Sequence, residues 1–318
     1  RNLNSFLRHV FGKKTYKVGL WGGFTCPNRD GTFSSEGCTF CNPLSSHPKS
    51  FEEGKSITQQ LNDGCRYITW RFNVSSFLPY VQDYTTTYGD PSMLDALYSE
   101  ALSYPGVVGL SLCTRPDCLP EPVLGYLENL SRQTFLWVEV GVQTSDDRIL
   151  KDMNRCHTSL DTMNSFRALH ARKIFSAAHM IIGYPGSSRE TVLADAAFIR
   201  KTGTDGVKLQ NLHVVKNTSI ADRFAAGEFE LMTMEEYTDM VILFLEHTEP
   251  GVVILRLTGE APDKLTVAPQ WSLHKMIVLN RIHGEMKRRD TWQGKALGFC
   301  KSSVEKPLKS IRNHWRPD

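Results

Sequence analysis

Short apolar runs alternate with helical apolar periods along most of this chain. Residues 16–21 are a compact strand candidate. Ile57, Leu61, Cys65, Ile68 and Phe72 then recur at three- and four-residue steps, the spacing of one helix face. Residues 74–83 read as a second strand. Asp90 and Pro91 supply an N-cap and a first-turn proline ahead of Leu94, Leu97, Tyr98 and Ala101. A third strand is expected over 107–113, with Val123, Leu124, Leu127 and Leu130 marking the helix behind it. Residues 135–142 are apolar almost throughout, as a strand covered on both faces should be.

The alternation continues through a fifth strand at 174–182 and a sixth at 207–212. Ser187 with Glu190, and Thr233 with Glu236, have the spacing of capping boxes. Tyr237, Met240, Val241, Phe244 and Leu245 give the second of these helices its apolar face. Six β–α units at this spacing imply parallel strands joined by right-handed crossovers. The economical fold is α/β, a partial (β/α)6 TIM-like barrel. It is followed by a mainly helical C-terminal extension with one short strand at 253–257 and a helix near 272–287. The expected division is 1–250 for the barrel and 251–318 for the extension. Neither internal repeats nor a low-complexity linker interrupts it.

Composition changes this picture little. Apolar residues at 41% suffice for a full buried core, and no apolar run reaches membrane-spanning length. The chain shows no secretory leader, although it begins at Arg1 and so lacks a start methionine. Eight cysteines outside a secretory context argue for a reducing cytoplasm. A net charge of +3 is too mild to identify a nucleic-acid partner.

The cysteines point to chemistry. Residues 24–43 read F-T-C-P-N-R-D-G-T-F-S-S-E-G-C-T-F-C-N-P, a loop composition carrying Cys26, Cys38 and Cys41. Cys38 and Cys41 form a C-x-x-C pair around Thr39 and Phe40, and no second such pair occurs in the chain. A closed structural zinc site takes four protein ligands. A [4Fe–4S] cluster also normally takes four thiolates, so three leave one iron open for another ligand, the arrangement of radical S-adenosylmethionine (SAM) enzymes. A zinc knuckle completed by His47 or Cys65, or three ordinary buried thiols, remains the alternative.

In a parallel barrel, reactive side chains gather at the C-terminal strand ends. Gln82, Asp83 and Tyr84 lie at the end of the second strand, and Thr114, Arg115 and Asp117 at the end of the third. Arg115 and Asp117 are equally readable as a pair that orders the loop. On the fourth strand, Glu139 needs a partner for its carboxylate, and Arg155 is the candidate. Lys208, Gln210, Asn211 and His213 come off the sixth. Lys208 and His213 are the catalytic candidates, although a lone histidine is more often a satisfied structural residue.

The stretches C-P-N-R-D-G-T, G-C-T-F-C-N, T-R-P-D-C-L-P, W-V-E-V-G-V-Q-T, G-E-F-E-L, R-L-T-G-E-A-P and R-R-D-T-W-Q-G-K occur in that order. Together they resemble the YhcC-type radical SAM family, related to the Elp3-like group, over residues 12–295. The long gap between the first two cysteines departs from the usual C-x-x-x-C-x-x-C but is shared by this family. The resemblance implies a [4Fe–4S] cluster on Cys26, Cys38 and Cys41, and reductive SAM cleavage to a radical that takes hydrogen from a substrate. Gln143 and Arg155 match positions contacting SAM in related enzymes. Ile181, with Gly183, matches the adenine-supporting strand end, and Phe40 is expected near the adenine.

Thr114, Arg115 and Asp117 are further SAM candidates, as is Glu139. An electron donor such as flavodoxin or ferredoxin is implied, and no membrane. Elp3-like relatives modify the wobble uridine of tRNA, so tRNA is the substrate the resemblance suggests; a small molecule or a protein is the other. Lys287, Arg288, Arg289, Lys295, Lys301, Lys306, Lys309 and Arg312 are candidates to track phosphates. Tyr80, Tyr84 and Tyr88, placed after the second strand, are candidates to stack a base.

Overall fold

The computed structural model describes residues 2–45 and 54–305. Helix α1 (Leu3–Phe11) precedes β1 (Tyr16–Leu20), and the chain then alternates through α2 (Ile57–Phe72), β2 (Phe77–Val81), α3 (Pro91–Leu102), β3 (Gly109–Thr114), α4 (Glu121–Gln133) and β4 (Phe135–Gln143). Two helices, α5 (Asp147–Asp152) and α6 (Ser159–Ala171), lead to β5 (Phe175–Ile182), α7 (Arg189–Thr202) and β6 (Gly206–Asn211). After β7 (Val214–Val215) come α8 (Ser219–Ala225), α9 (Met234–Glu246), β8 (Val253–Arg256), β9 (Thr266–Ala268) and α10 (Lys275–Arg288).

The main sheet runs β1-β2-β3-β4-β5-β6-β8, every neighbouring pair parallel. This is the curled half-barrel that the β–α alternation demands, with one strand more than six units predict. The seventh is β8, from the segment expected to be extension. It pairs with β6 through Gly206↔Val253 and Val207↔Ile254. β7 and β9 form a separate antiparallel pair.

Caps fix where the helices begin. The Asp90 side chain accepts from the Ser92 and Met93 amides at the start of α3, and Thr233 and Glu236 close a capping box on α9. The box expected at Ser187 and Glu190 lies one residue on, at Ser188 and Thr191. Ser187 instead closes the preceding turn, its amide and hydroxyl both donating to the Tyr184 carbonyl.

Outward strand residues such as Val18, Val81, Leu112, Val140 and Ala178 pack under the helices in the largest apolar cluster. Inward residues form a second cluster at the N-terminal end of the barrel, where α1 closes the floor. Phe6, Leu7 and Val10 meet Phe135, Trp137, Phe175 and Ala177 there, with the Phe6 ring edge-on to Trp137 at 5.0 Å. Such aromatic edge contacts add to the area they bury. The floor seals one end, leaving the upper interior for polar groups. Among the described residues, no helix is long and apolar enough to cross a membrane.

Candidate functional site

The loop after β1 is tied down at its entry by a carboxylate. Asp83, buried just past β2, accepts from the amides of Gly22 and Phe24 at 2.9 and 2.8 Å. Asp83, one of the polar residues expected at this strand end, therefore anchors the cysteine loop. Burial raises its pKa even though these amides pull the other way. Farther on, Arg29 donates to the Cys41 carbonyl at 2.5 Å, and its guanidinium lies 2.8 Å from where a Cβ on Gly37 would sit. Gly37 also holds φ +78°, so a side chain is excluded there both by space and by backbone.

The segment after α5 closes over this loop. Asn154 donates to the Gly37 carbonyl at 2.8 Å and to the Ser34 hydroxyl, while Asn28 donates to the Asn154 carbonyl at 2.5 Å. Asn28 Nδ2 also lies 3.5 Å from Cys38 Sγ, and Arg155 Nη1 lies 3.4 Å from the same sulfur. Cys26 and Cys38 are buried, and Cys41 is half-buried by exposure. Burial first, then its neighbour Cys38, pushes the Cys41 thiol up to about 11, against the pull of Arg29. Among the described residues, no three His, Cys, Asp or Glu side chains converge as ligands of one metal ion. His47, a proposed zinc ligand, lies outside the described residues. Cys65 is buried within α2, where burial raises it to about 12.

Above the cysteines is a small polar cradle. Arg155 Nη2 donates to the Gly141 carbonyl at 2.7 Å and Nε faces His157 at 3.1 Å. A Cβ at Gly141 would stand 3.0 Å from Gln143 Nε2 and 3.2 Å from Arg155 Nη2, so glycine is what lets both groups sit there. Gln143 holds φ +72°, and its buried Oε1 has no partner among the described residues. A non-glycine residue kept in that conformation at a strand end, with an orphaned acceptor, marks a built site. Arg115 makes a fork to Asp117, Nε to Oδ1 at 2.9 Å and Nη2 to Oδ2 at 2.7 Å, leaving Nη1 buried and unpartnered. Asp117 thus orients Arg115. Thr114 and Thr87 share a hydrogen bond at 2.5 Å beside them. Phe40 and Ile181 come together in one apolar cluster with Ile149, Met153, Tyr184, Leu212 and Ile220.

Below the cradle is a charged layer that overturns one expectation. Glu139 does not pair with Arg155. Its carboxylate, fully buried, accepts from Lys17, from Ser111 at 2.7 Å, from His179 Nε2 at 2.6 Å and from Lys208 at 3.1 Å. Burial alone would raise this carboxyl, but Lys17, Lys208 and His179 hold it well below the usual carboxylate range. Burial and nearby Lys208 lower His179 to about 4, so it is neutral at pH 7. Lys17 was missed in the sequence; its signal is the alternation of Lys17 and Gly19 with apolar Val18 and Leu20 in β1. Tyr80 lies within β2, not after it. It is buried with Lys17 and Lys208 over its ring, and Tyr88 is hydrogen-bonded to Thr32.

His213 Nδ1 faces the Asn211 carbonyl at 3.1 Å, which can only accept. The proton is therefore on Nδ1, and buried Nε2 is a bare acceptor without a partner. Several of the basic C-terminal residues are engaged internally. Arg288 pairs with Glu285, Arg289 with Asp239 and Glu285, and Lys301 with Asp290, while Lys295 donates to the Asp290 carbonyl. Lys306, Lys309 and Arg312 lie outside the described residues.

These features define the class. The Radical SAM superfamily model matches residues 30–199 and the Radical_SAM C-terminal domain model residues 204–288; the chain belongs to the radical SAM superfamily. It is 34% identical to the uncharacterized protein YtqA of Bacillus subtilis, over 92% of this chain and 91% of that one. It is likewise 34% identical to protein YhcC of Escherichia coli, over 92% of this chain and 93% of that one. Among solved structures, the Elp3 of Methanocaldococcus infernus superposes with a TM-score of 0.66 at 18% identity. That match covers 88% of this chain and 64% of the archaeal one, and it shows a shared fold. Membership implies SAM and a [4Fe–4S] cluster as cofactors, and a source of electrons.

Proposed function

We propose that Cys26, Cys38 and Cys41 hold a [4Fe–4S] cluster with one open iron, and that SAM occupies the cradle above it. The observation that carries this is three thiols on one loop, two of them buried, with Cys38 3.4 Å from Arg155, which shares the space over Gly141 with Gln143. The residues fit the group. A cubane distributes its thiolates over different irons, so the sulfurs need not converge on one point as zinc ligands must. Arg155 Nη1 and Asn28 Nδ2 stand ready to donate to Cys38 Sγ, a lever on cluster potential. When bound, the cluster and SAM supply one-electron chemistry that ends in hydrogen abstraction.

The chain's own residues bind and orient. Gln143 Oε1 is the unfilled acceptor and Arg115 Nη1 the unfilled donor of the cradle. Phe40 and Ile181 give the apolar wall against which an adenine packs. Glu139 acts through Lys17, Lys208 and His179 rather than touching SAM. The electron comes from a flavodoxin or ferredoxin, and the eight free cysteines suit a reducing cytoplasm. The substrate favoured by the Elp3-like resemblance is the wobble uridine of tRNA. Internal pairing of Arg288, Arg289 and Lys301 leaves fewer phosphate contacts from α10 and its end than the charges alone suggest.

Anaerobic reconstitution with iron and sulfide analysis, followed by SAM cleavage under reduction, tests this reading. Four irons per chain and deoxyadenosine formation are expected; stoichiometric zinc without iron would overturn it. Gln143→Ala and Arg155→Ala should each weaken SAM binding by about 1–3 kcal/mol. Deoxyadenosine yield with and without tRNA, alongside nucleoside mass, tests the substrate.

A further inference from the structure

The register of the last strand pair brings two cations together. Lys208 on β6 and Arg256 on β8 are direct partners across the sheet, and like charges placed opposite one another are unfavourable. They are compensated unequally. Lys208 Nζ donates to Glu139 and to the Tyr80 hydroxyl, two bonds from an ammonium that carries three hydrogens. Arg256 Nη2 donates to the Gln210 side chain at 2.8 Å, its Nε is buried without a partner, and no carboxylate pairs with it among the described residues. With Lys17, three cations stand around the buried carboxylate of Glu139; Glu260, near enough to act on His213, is exposed and paired with Lys275, and burial keeps His179 and His213 neutral at pH 7. A guanidinium with an unfilled donor beside an excess of positive charge requires an anion.

Arg256 also lines a cavity of about 990 Å³ along the edge strand β8, between α1 and α10, where no acidic side chain is found among the described residues. His213 lies near enough to Arg256 to feel its charge and offers Nε2 as an acceptor.

We propose that Arg256, oriented by Gln210 and backed by Lys208, is an oxyanion subsite that holds a carboxylate or phosphate group of the substrate. This rests on the radical SAM reading above, with SAM held by the cradle at β3 and β4 and the substrate anion at β6 and β8. The planar guanidinium favours an anion with two oxygens presented together. The subsite deepens the substrate assignment by requiring an anionic group on whatever molecule reacts.

The test uses the anaerobically reconstituted holoenzyme saturated with SAM, titrated with inorganic phosphate and, separately, with acetate, at constant ionic strength. Binding to the native state should raise the melting temperature saturably. R256Q should weaken the apparent affinity at least tenfold, R256K should recover part of it, and K275Q, on the cavity wall, should leave it unchanged. Q210L, which removes the group orienting Arg256, should weaken it severalfold and keeps the test informative if R256Q fails to fold. Preference for phosphate or for acetate distinguishes a phosphoryl from a carboxylate group. Equal titration of wild type and R256Q, or no saturable shift in wild type, would overturn the proposal. So would loss of SAM affinity in R256Q, because the anion would then be the carboxylate of SAM. Substrate-free SAM cleavage, equal in wild type and R256Q, separates this outcome from failure of the radical SAM reading.

Discussion

Trp137 and Glu139 stand two positions apart along β4, as do Ala177 and His179 along β5. All four side chains face the barrel interior, and all four are buried. Yet the lower pair belongs to an apolar floor sealed by α1, and the upper pair to a charged layer with Lys17 and Lys208. The difference teaches that inward direction alone does not set chemistry here; height along the barrel axis does. The floor is held by packing, which tolerates no charge, although it leaves the Trp137 indole N–H without a partner among the described residues. The layers above are held by donors matched to acceptors, and at Gln143, Arg115, His213 and Arg256, where the matching is incomplete, a ligand can complete it.

If the upper end carries function and the floor carries stability, substitutions at the two ends should separate these properties. The largest effect belongs to the mouth. Cys26→Ala, Cys38→Ala or Cys41→Ala should each abolish cluster assembly, whereas Cys65→Ala and Cys300→Ala should retain it. Iron and sulfide content of anaerobically purified protein decides this, and a full cluster in any of the first three variants removes that cysteine from the ligand set. Trp137→Ala should do the reverse. Truncating a fully buried aromatic costs about 3–5 kcal/mol, read by denaturant unfolding, while whatever protein remains folded should still assemble the cluster.

Glu139→Gln tests the layer between. It leaves Lys17 and Lys208 without their counter-charge, and breaking a buried pair of this kind costs about 3 kcal/mol. The low end of the range applies because Lys17 remains partly exposed. Removing the charges together, as in Glu139→Leu with Lys208→Met, should be less costly than the single change. If the double variant is no more stable than Glu139→Gln, the layer is held by packing and the contrast with the floor collapses.

How much of this was legible in the sequence follows the same division. The barrel was readable because parallel strands covered on both faces leave apolar runs, and because Asp90 and Thr233 punctuate helices through local hydrogen bonding. That Cys26, Cys38 and Cys41 share one loop was readable from the sequence, while spacing alone left zinc or ordinary thiols as alternatives. Partner choice was not. Glu139 asked for a cation, and Arg155, in the M-N-R turn that follows the strand, was the candidate; the fold instead supplies Lys17 and Lys208, 122 and 69 residues away along the chain. Asp83 and Tyr80 were misplaced because β2 ends at Val81: Asp83 lies beyond it and ties down the cysteine loop, while Tyr80 stays within the strand, its ring under Lys17 and Lys208. The strand in the extension could not be assigned to the sheet, because pairing with β6 is a long-range property that four residues do not announce.

The smallest effect is the most specific to the charged layer. Burial first, with Arg256 and Lys17 nearby, brings Lys208 down to about 8, although Glu139 opposes the shift. An amine with a depressed pKa binds its proton less well in the folded state than in the unfolded one, where the ordinary value is about 10.4. Between those two pH values the unfolded chain carries more protons, so this group makes stability rise with pH. Glu139 acts in a different window: its lowered pKa gives stability that is full above the unfolded carboxyl value and is lost as pH falls through the folded one. Unfolding free energies of wild type and Lys208→Met, measured from pH 7 to pH 10, should therefore differ in slope, the wild type gaining relative to the variant as pH rises. Using the difference cancels the buried tyrosines and thiols remote from Lys208, though not Tyr80, which accepts from it, or Cys113, which feels its charge. Parallel curves would mean that Lys208 keeps an ordinary amine pKa. The interior would then be wetter and less cationic in its demand than the cross-strand pairing with Arg256 implies.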